Sequence, residues 1–215
     1  MAEFPEIQWI EAENSPWGVR LLDLRPVTQG LLSTSADPEC AANAVSFHHD
    51  DGSSFESMHP NSDRTVPLSL RYRVAQPLTD GPLFIPTCME EKWAIFYRGG
   101  RILFVRSWTR ELYAAADVKL HGDELEIVAI RGDLVEANEE PRYRQRVVDY
   151  LMRSHALNLV YPVPLTSDQE PPSYTAMWCF QGFGRRAWFA TAEEIAYDVP
   201  EQVLRNRMTG EEPHH

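Results

Sequence analysis

No stretch of this sequence stays apolar for the ~20 residues that a bilayer-spanning helix needs. The opening MAEFPEIQWIEAE has no basic region leading into an apolar run, so a secretory leader is not expected and the cytoplasm is the expected compartment. Cysteine is scarce: Cys40, Cys88 and Cys179 lie far apart, their odd number cannot be fully paired within one chain, and reduced, buried thiols are expected. Positive charge is in deficit, with 20 Lys and Arg against 32 Asp and Glu and a net charge of -12. Such a field repels phosphate backbones and anionic bilayers, so neither nucleic acid nor membrane is an expected partner; it favours a basic protein partner, with a solvated acidic surface as the commoner cause of such a balance.

The signatures of common catalytic sites are missing as well. There is no G-x-S-x-G elbow, no H-E-x-x-H and no C-x-x-C, and the glycines at 182 and 184 lack the Lys-Ser/Thr of a phosphate-binding loop. Ser154 and His155 are neighbours at a helix end, a spacing that does not direct the imidazole onto the hydroxyl. His48, His49, Asp50, Asp51, His59 and Asp63 offer ligand chemistry, but adjacent histidines diverge, and a solvated loop without metal is expected. No cofactor is expected either.

What the chain does contain is a core hairpin. KWAIFYRGGRILFVRSW, Lys92 to Trp108, reads as two strands around Gly99-Gly100, since glycine alone readily supplies positive φ at both central positions of a tight turn. A two-residue turn sets Trp93 opposite Arg106, Ile95 opposite Phe104 and Tyr97 opposite Ile102 on one face, with Ala94 opposite Val105 and Phe96 opposite Leu103 on the other. Both faces are apolar, so the hairpin is expected inside a sheet covered on each side. Ile7–Glu11 and Val19–Leu24 read as a strand, loop, strand start and Leu68–Val74 as a strand with one wet face; the hairpin then leads into Leu112–Leu120 and Leu125–Ile130 as a meander whose short connections favour antiparallel neighbours.

After the capping side chains of STSAD, Pro38 to Val45 reads as a short helix, with a loop as the alternative. A longer one spans Asn138–Ala156, with Tyr143, Val147, Tyr150, Leu151 and Ser154 at helical spacing. His48–Asp63 reads as an exposed excursion and Tyr161–Pro172 as an extended loop. Thr175–Phe180 and Ala187–Ala190 read as a second apolar hairpin, Thr191 with Glu194 as the start of a helix, and Glu201–Met208 as a further short one. The expected class is α+β, an antiparallel meander or mixed sheet with two or three packing helices. One domain over 1–215 is expected, with lobes 1–80 and 81–210 as the alternative.

Four stretches, WGVRLLDLRPVTQGLLSTSADP (Trp17–Pro38), DGPLF (Asp80–Phe84), MEEKWAIFYRGGRILFVRSWT (Met89–Thr109) and GRRAWFAT (Gly184–Thr191), resemble an uncharacterised bacterial family. A related phrase is similar to segments of proteins beside or fused to ADP-ribosylglycohydrolases. The resemblance implies a shared fold and no activity. It expects glycine after RSWT, where this chain has Arg110.

Two functions are open at this level. One is a bacterial interaction or regulatory protein, of immunity or defence type, that engages a basic partner. The other is an anion site for a nucleotide or ADP-ribose, with or without hydrolysis, built from Trp93, Arg106, Ser107, Trp108, Arg185 and Arg186. In that site Arg106 stacks on the Trp93 indole and offers its fork to a carboxylate or phosphate, and Arg185 and Arg186 join it if the two hairpins approach one another. The structural alternative pairs Arg106 with Glu90, Glu91 or Glu111, since a buried guanidinium must be paired.

Overall fold

The computed structural model describes residues 5–75, 77–135, 140–195 and 203–206. Its centre is a seven-stranded sheet made of β3 (Thr65–Val74), β4 (Gly81–Phe84), β5 (Trp93–Arg98), β6 (Arg101–Arg106), β7 (Leu112–His121), β8 (Glu124–Gly132) and β11 (Val203–Leu204), in the order β11-β3-β8-β7-β6-β5-β4. All neighbours are antiparallel except β11 and β3, which run parallel. A second sheet, ordered β1-β2-β10-β9, joins β1 (Trp9–Ile10), β2 (Leu21–Asp23), β9 (Val163–Pro164) and β10 (Phe189–Thr191). The helices are α1 (Arg25–Thr28), α2 (Pro38–Ala44), α3 (Pro141–Leu151) and α4 (Pro172–Phe183). The class is α+β.

The core hairpin has the expected register, Trp93 facing Arg106 through to Tyr97 facing Ile102. Gly99 and Gly100 hold φ of 55° and 73°, the left-handed pair that matches the twist of the flanking strands. Its two faces belong to two separate cores. Trp93, Ile95, Tyr97, Ile102 and Phe104 pack with Val147, Tyr150 and Leu151 of α3 and Cys179 and Phe183 of α4. Ala94, Phe96, Leu103 and Val105 pack with Phe47 and Phe55. Phe96 and Phe104 are both wholly buried.

Several expectations need correction. The 48–63 stretch does not stand away from the molecule: Phe55 and Gly52 are buried against the second face, and a Cβ on Gly52 would lie 2.8 Å from the Phe96 side chain. Its polar residues sit outside two aromatic anchors, so polar composition disguised a lid. Arg110 locks this lid, with its guanidinium over Phe47 at 4.4 Å and Phe55 at 5.2 Å and bonds to Ser46 Oγ (2.7 Å) and to Asp50. Its φ of 56° is the conformation a glycine would take more cheaply.

Thr175–Phe180 is not a strand but the middle of α4, because Thr175, Ala176, Cys179, Phe180 and Phe183 bury one helical stripe. Thr191 closes β10 instead of opening a helix; its hydroxyl donates to the Arg20 carbonyl (2.8 Å) and accepts the Glu193 N–H (3.1 Å). Val203 and Leu204 form a strand where a helix was expected. Within the extended loop, Val163–Pro164 pairs with β10. The long helix runs as α3 and continues as a π-helical turn, Met152–Ala156; its expected cap, Asn138, lies outside the described residues. In that wider turn Ser154 Oγ does meet His155 Nδ1, at 2.7 Å, while also reaching the Tyr150 carbonyl at 2.6 Å. Both side chains are buried.

Candidate functional site

The six nominated residues are brought together around the turn Cys88–Lys92, which leads into β5. Trp93 is fully buried and its Nε1 donates to the Gly182 carbonyl at 2.9 Å. Arg106, opposite it, donates from Nη1 to the same carbonyl (2.7 Å) and from Nη2 to that of Gln181 (3.0 Å). These are last-turn carbonyls of α4, which have no acceptor role left inside the helix and carry its negative dipole end. The guanidinium lies 4.8 Å from the Trp93 ring and 5.7 Å from Tyr113, and burial lowers its pKa. Among the described residues it forms no ion pair, so helix carbonyls stand where a carboxylate was expected.

The others tie the turn down. Ser107 Oγ donates to the Glu91 carbonyl (2.7 Å), and Trp108 Nε1 to the Met89 carbonyl (2.8 Å). Arg186 reaches Glu91 Oε1 (3.3 Å), the Ser154 carbonyl (3.2 Å) and Asn158 Oδ1 (2.5 Å). Arg185 is exposed; its backbone N–H donates to the Glu90 carbonyl (2.9 Å) and its Nη1 reaches Cys88 Sγ at 3.7 Å. The glycine between α4 and these arginines permits a close approach, but to protein: at φ 71°, a Cβ on Gly184 would fall 1.7 Å from the Glu90 carbonyl oxygen.

Sequence reasoning passed over the residue at the middle of this cluster. Lys92, one of only two lysines in the chain, is 5% exposed. Its Nζ donates to Ser33 Oγ (2.7 Å) and the Met89 carbonyl (2.8 Å) and lies over the Trp108 ring at 4.0 Å and Phe180 at 5.3 Å. Burial, then the charge of Arg106, brings its pKa down to about 8. Glu90 accepts the backbone N–H of Ser33 at 2.7 Å, so the 31–37 loop is anchored at Ser33 by backbone and side chain together. The signal was compositional: in a chain that otherwise uses arginine, a lysine opens the core strand.

A separate groove of about 770 Å³ runs between the start of α3, the 165–170 loop and the first turns of α4. Tyr143, Tyr174 and Trp178 supply aromatic wall, and Glu140 and Glu170 carboxylates. Tyr174 is 60% exposed. The two arginines of the groove are occupied: Arg142 pairs with Glu194 at 2.5 Å, and Arg146 donates to the carbonyls of Leu165, Thr191, Ala192 and Glu193 at 2.8–3.4 Å. Glu140 and Glu170 form no ion pair among the described residues.

Among the described residues no three His, Cys, Asp or Glu side chains are grouped to hold a metal, and no helix is long and apolar enough to cross a membrane. Of the cysteines, only Cys179 is buried, and burial pushes its thiol pKa up; Cys40 and Cys88 are half-buried. The two sheets, the capped helix and the aromatic groove define an α+β protein with a mainly antiparallel seven-stranded sheet. No family model matches the chain, and no curated protein or solved structure does so.

Proposed function

We propose that the protein acts by binding a partner and that the groove between α3 and α4 takes a basic segment of it. The observation carrying this reading is the distribution of charge along the groove: Arg146 is spent on backbone carbonyls and Arg142 is paired with Glu194, while the carboxylates of Glu140 and Glu170 stand beside the exposed Tyr174 and the half-buried Trp178. A Lys or Arg side chain laid on Tyr174 or Trp178 gains about 0.5–2 kcal/mol from the ring quadrupole. The net charge of -12 draws a cationic partner in and rejects an acidic one. A regulatory protein that restrains a basic partner, of immunity or defence type, fits such a surface. The competing reading, an anion site for a nucleotide or ADP-ribose, asks for free guanidinium groups; of its three arginines, Arg106 and Arg186 are engaged by carbonyl, amide and carboxylate oxygens, which leaves the exposed Arg185.

Isothermal titration with Arg- or Lys-rich peptides and with acidic peptides of equal length tests this. Binding of the basic peptides is expected, weakening as salt rises, with affinity lost about tenfold or more in Tyr174→Ala and Glu170→Arg. No basic peptide bound, together with thermal stabilisation by a nucleotide or ADP-ribose, would replace this reading by the anion site.

A further inference from the structure

The contact between Ser33 and Lys92 has the geometry of a nucleophile with its base, and it is independent of the groove. A serine hydroxyl is a weak nucleophile until a base held at hydrogen-bond distance takes its proton, and that base must itself be oriented by a third group. Ser33 Oγ lies 2.7 Å from Lys92 Nζ; the amine is fixed on its other sides by the Met89 carbonyl at 2.8 Å and the Trp108 ring at 4.0 Å. Trp108 is in turn pinned through its Nε1 to that same carbonyl. Ser33 is half-buried, in a loop whose next residue back, Leu32, is 83% exposed, whereas Lys92 is 5% exposed, so the pair lies where the loop borders solvent. We propose that Ser33 and Lys92 form a serine–lysine dyad that transfers acyl groups from esters or thioesters to water.

In the first half-reaction Ser33 Oγ attacks the acyl carbon while neutral Lys92 takes the hydroxyl proton. The carbon–oxygen or carbon–sulfur bond to the leaving group then breaks, and Lys92 returns the proton to the departing alcohol or thiol. In the second half, water attacks the Ser33 ester, Lys92 takes a proton from water, and Ser33 Oγ leaves with that proton as the free acid is released. One ester and one water become one acid and one alcohol, and no oxidant or metal enters.

The groups facing Lys92 set how much of it is neutral. Arg106 on β6 opposes its charge, whereas Glu90 and Cys88 on the turn favour the ammonium, and burial outweighs all three. Glu90 is a positioning residue, since its carboxylate holds the Ser33 N–H. Leu32 offers apolar contact for an acyl chain.

The test combines an aryl acetate and a fluorophosphonate probe with the full chain between pH 6 and 9. An adduct at Ser33, found by peptide mass spectrometry, and ester hydrolysis rising with an apparent pKa near 8 are expected. Ser33→Ala should abolish the adduct. Lys92→Arg keeps a cation on Trp108 but cannot act as base at these pH values, so it should fold yet lose about 100-fold or more of the labelling rate and its pH dependence. Ser35→Ala, in the same loop, should label normally. No adduct at Ser33, an adduct at Ser35 instead, or equal labelling of a folded Lys92→Arg protein would overturn the dyad.

Discussion

The two ends of α4 make opposite use of polar chemistry. At its C-terminal end the Trp93 indole donates to the Gly182 carbonyl and Arg106 to those of Gln181 and Gly182, and that cation is turned onto the helix end. At its N-terminal end Tyr174 is largely exposed and Trp178 lines an open groove with Glu170. The first end is fastened and the second is left available. The same contrast runs through the arginines: Arg144 holds the Gly132 carbonyl (2.5 Å) and Asp133, Arg146 holds four carbonyls, and Arg186 holds one. A planar fork with five donors spans several separated backbone acceptors in a fixed geometry, which suits it better than a lysine's single ammonium to this use. Arginine here is largely a fastener of loops and helix ends, so its abundance says little about anionic ligands.

Substitutions separate the two ends. The largest effect is expected at Gly184→Ala, whose Cβ would collide with the Glu90 carbonyl at a backbone angle that alanine resists; strain and forced displacement together should cost about 4 kcal/mol in urea unfolding. Arg106→Met leaves two α4 carbonyls and the Trp93 face without their cation, for a loss of about 3 kcal/mol by the same measurement. A cost below about 1 kcal/mol would mean that the clasp does not fasten the helix. At the open end, Tyr174→Ala should change stability by less than about 1 kcal/mol while weakening basic peptides tenfold or more. Equal losses of stability at both ends would erase the contrast.

The smallest effect is a pH dependence. Folding lowers the Lys92 pKa from 10.5 to about 8, so between these values the unfolded chain binds the extra proton and stability must rise with pH. From pH 7 to 8.5 the gain should be about 0.8 kcal/mol, and it should vanish in Lys92→Met. Above pH 9 the raised thiol of Cys179 works the other way, because the unfolded thiol ionises first. Chemical unfolding across this range, compared between the two proteins, checks the sign.

Much of the central sheet was legible because its rules are local. Gly99-Gly100 dictated the turn, alternation then dictated which side chains share a face, and the same alternation divided Phe104 from Phe96 into two cores. Errors gathered where composition and contact part company. The 48–63 segment is polar in count but anchored by Phe47 and Phe55, and Thr175–Phe180 is apolar enough to pass for a strand although its buried positions recur at helical spacing. Of the candidate site, the membership of the cluster was readable from Trp93, Arg106 and the arginines after Gly184. The direction of those groups was not, nor was Ser33, 59 residues before Lys92, because a hydroxyl in a Ser/Thr loop carries no mark of its distant partner.

By itself the sequence determined the hairpin, its register and the burial of both its faces, since turn chemistry and period-two patterning act between near neighbours. Only the tertiary structure decided that Arg106 closes a helix, that Lys92 meets Ser33 and that Tyr174 stays open. The partners concerned are backbone carbonyls and remote side chains, and those have no sequence pattern until the chain has folded around them.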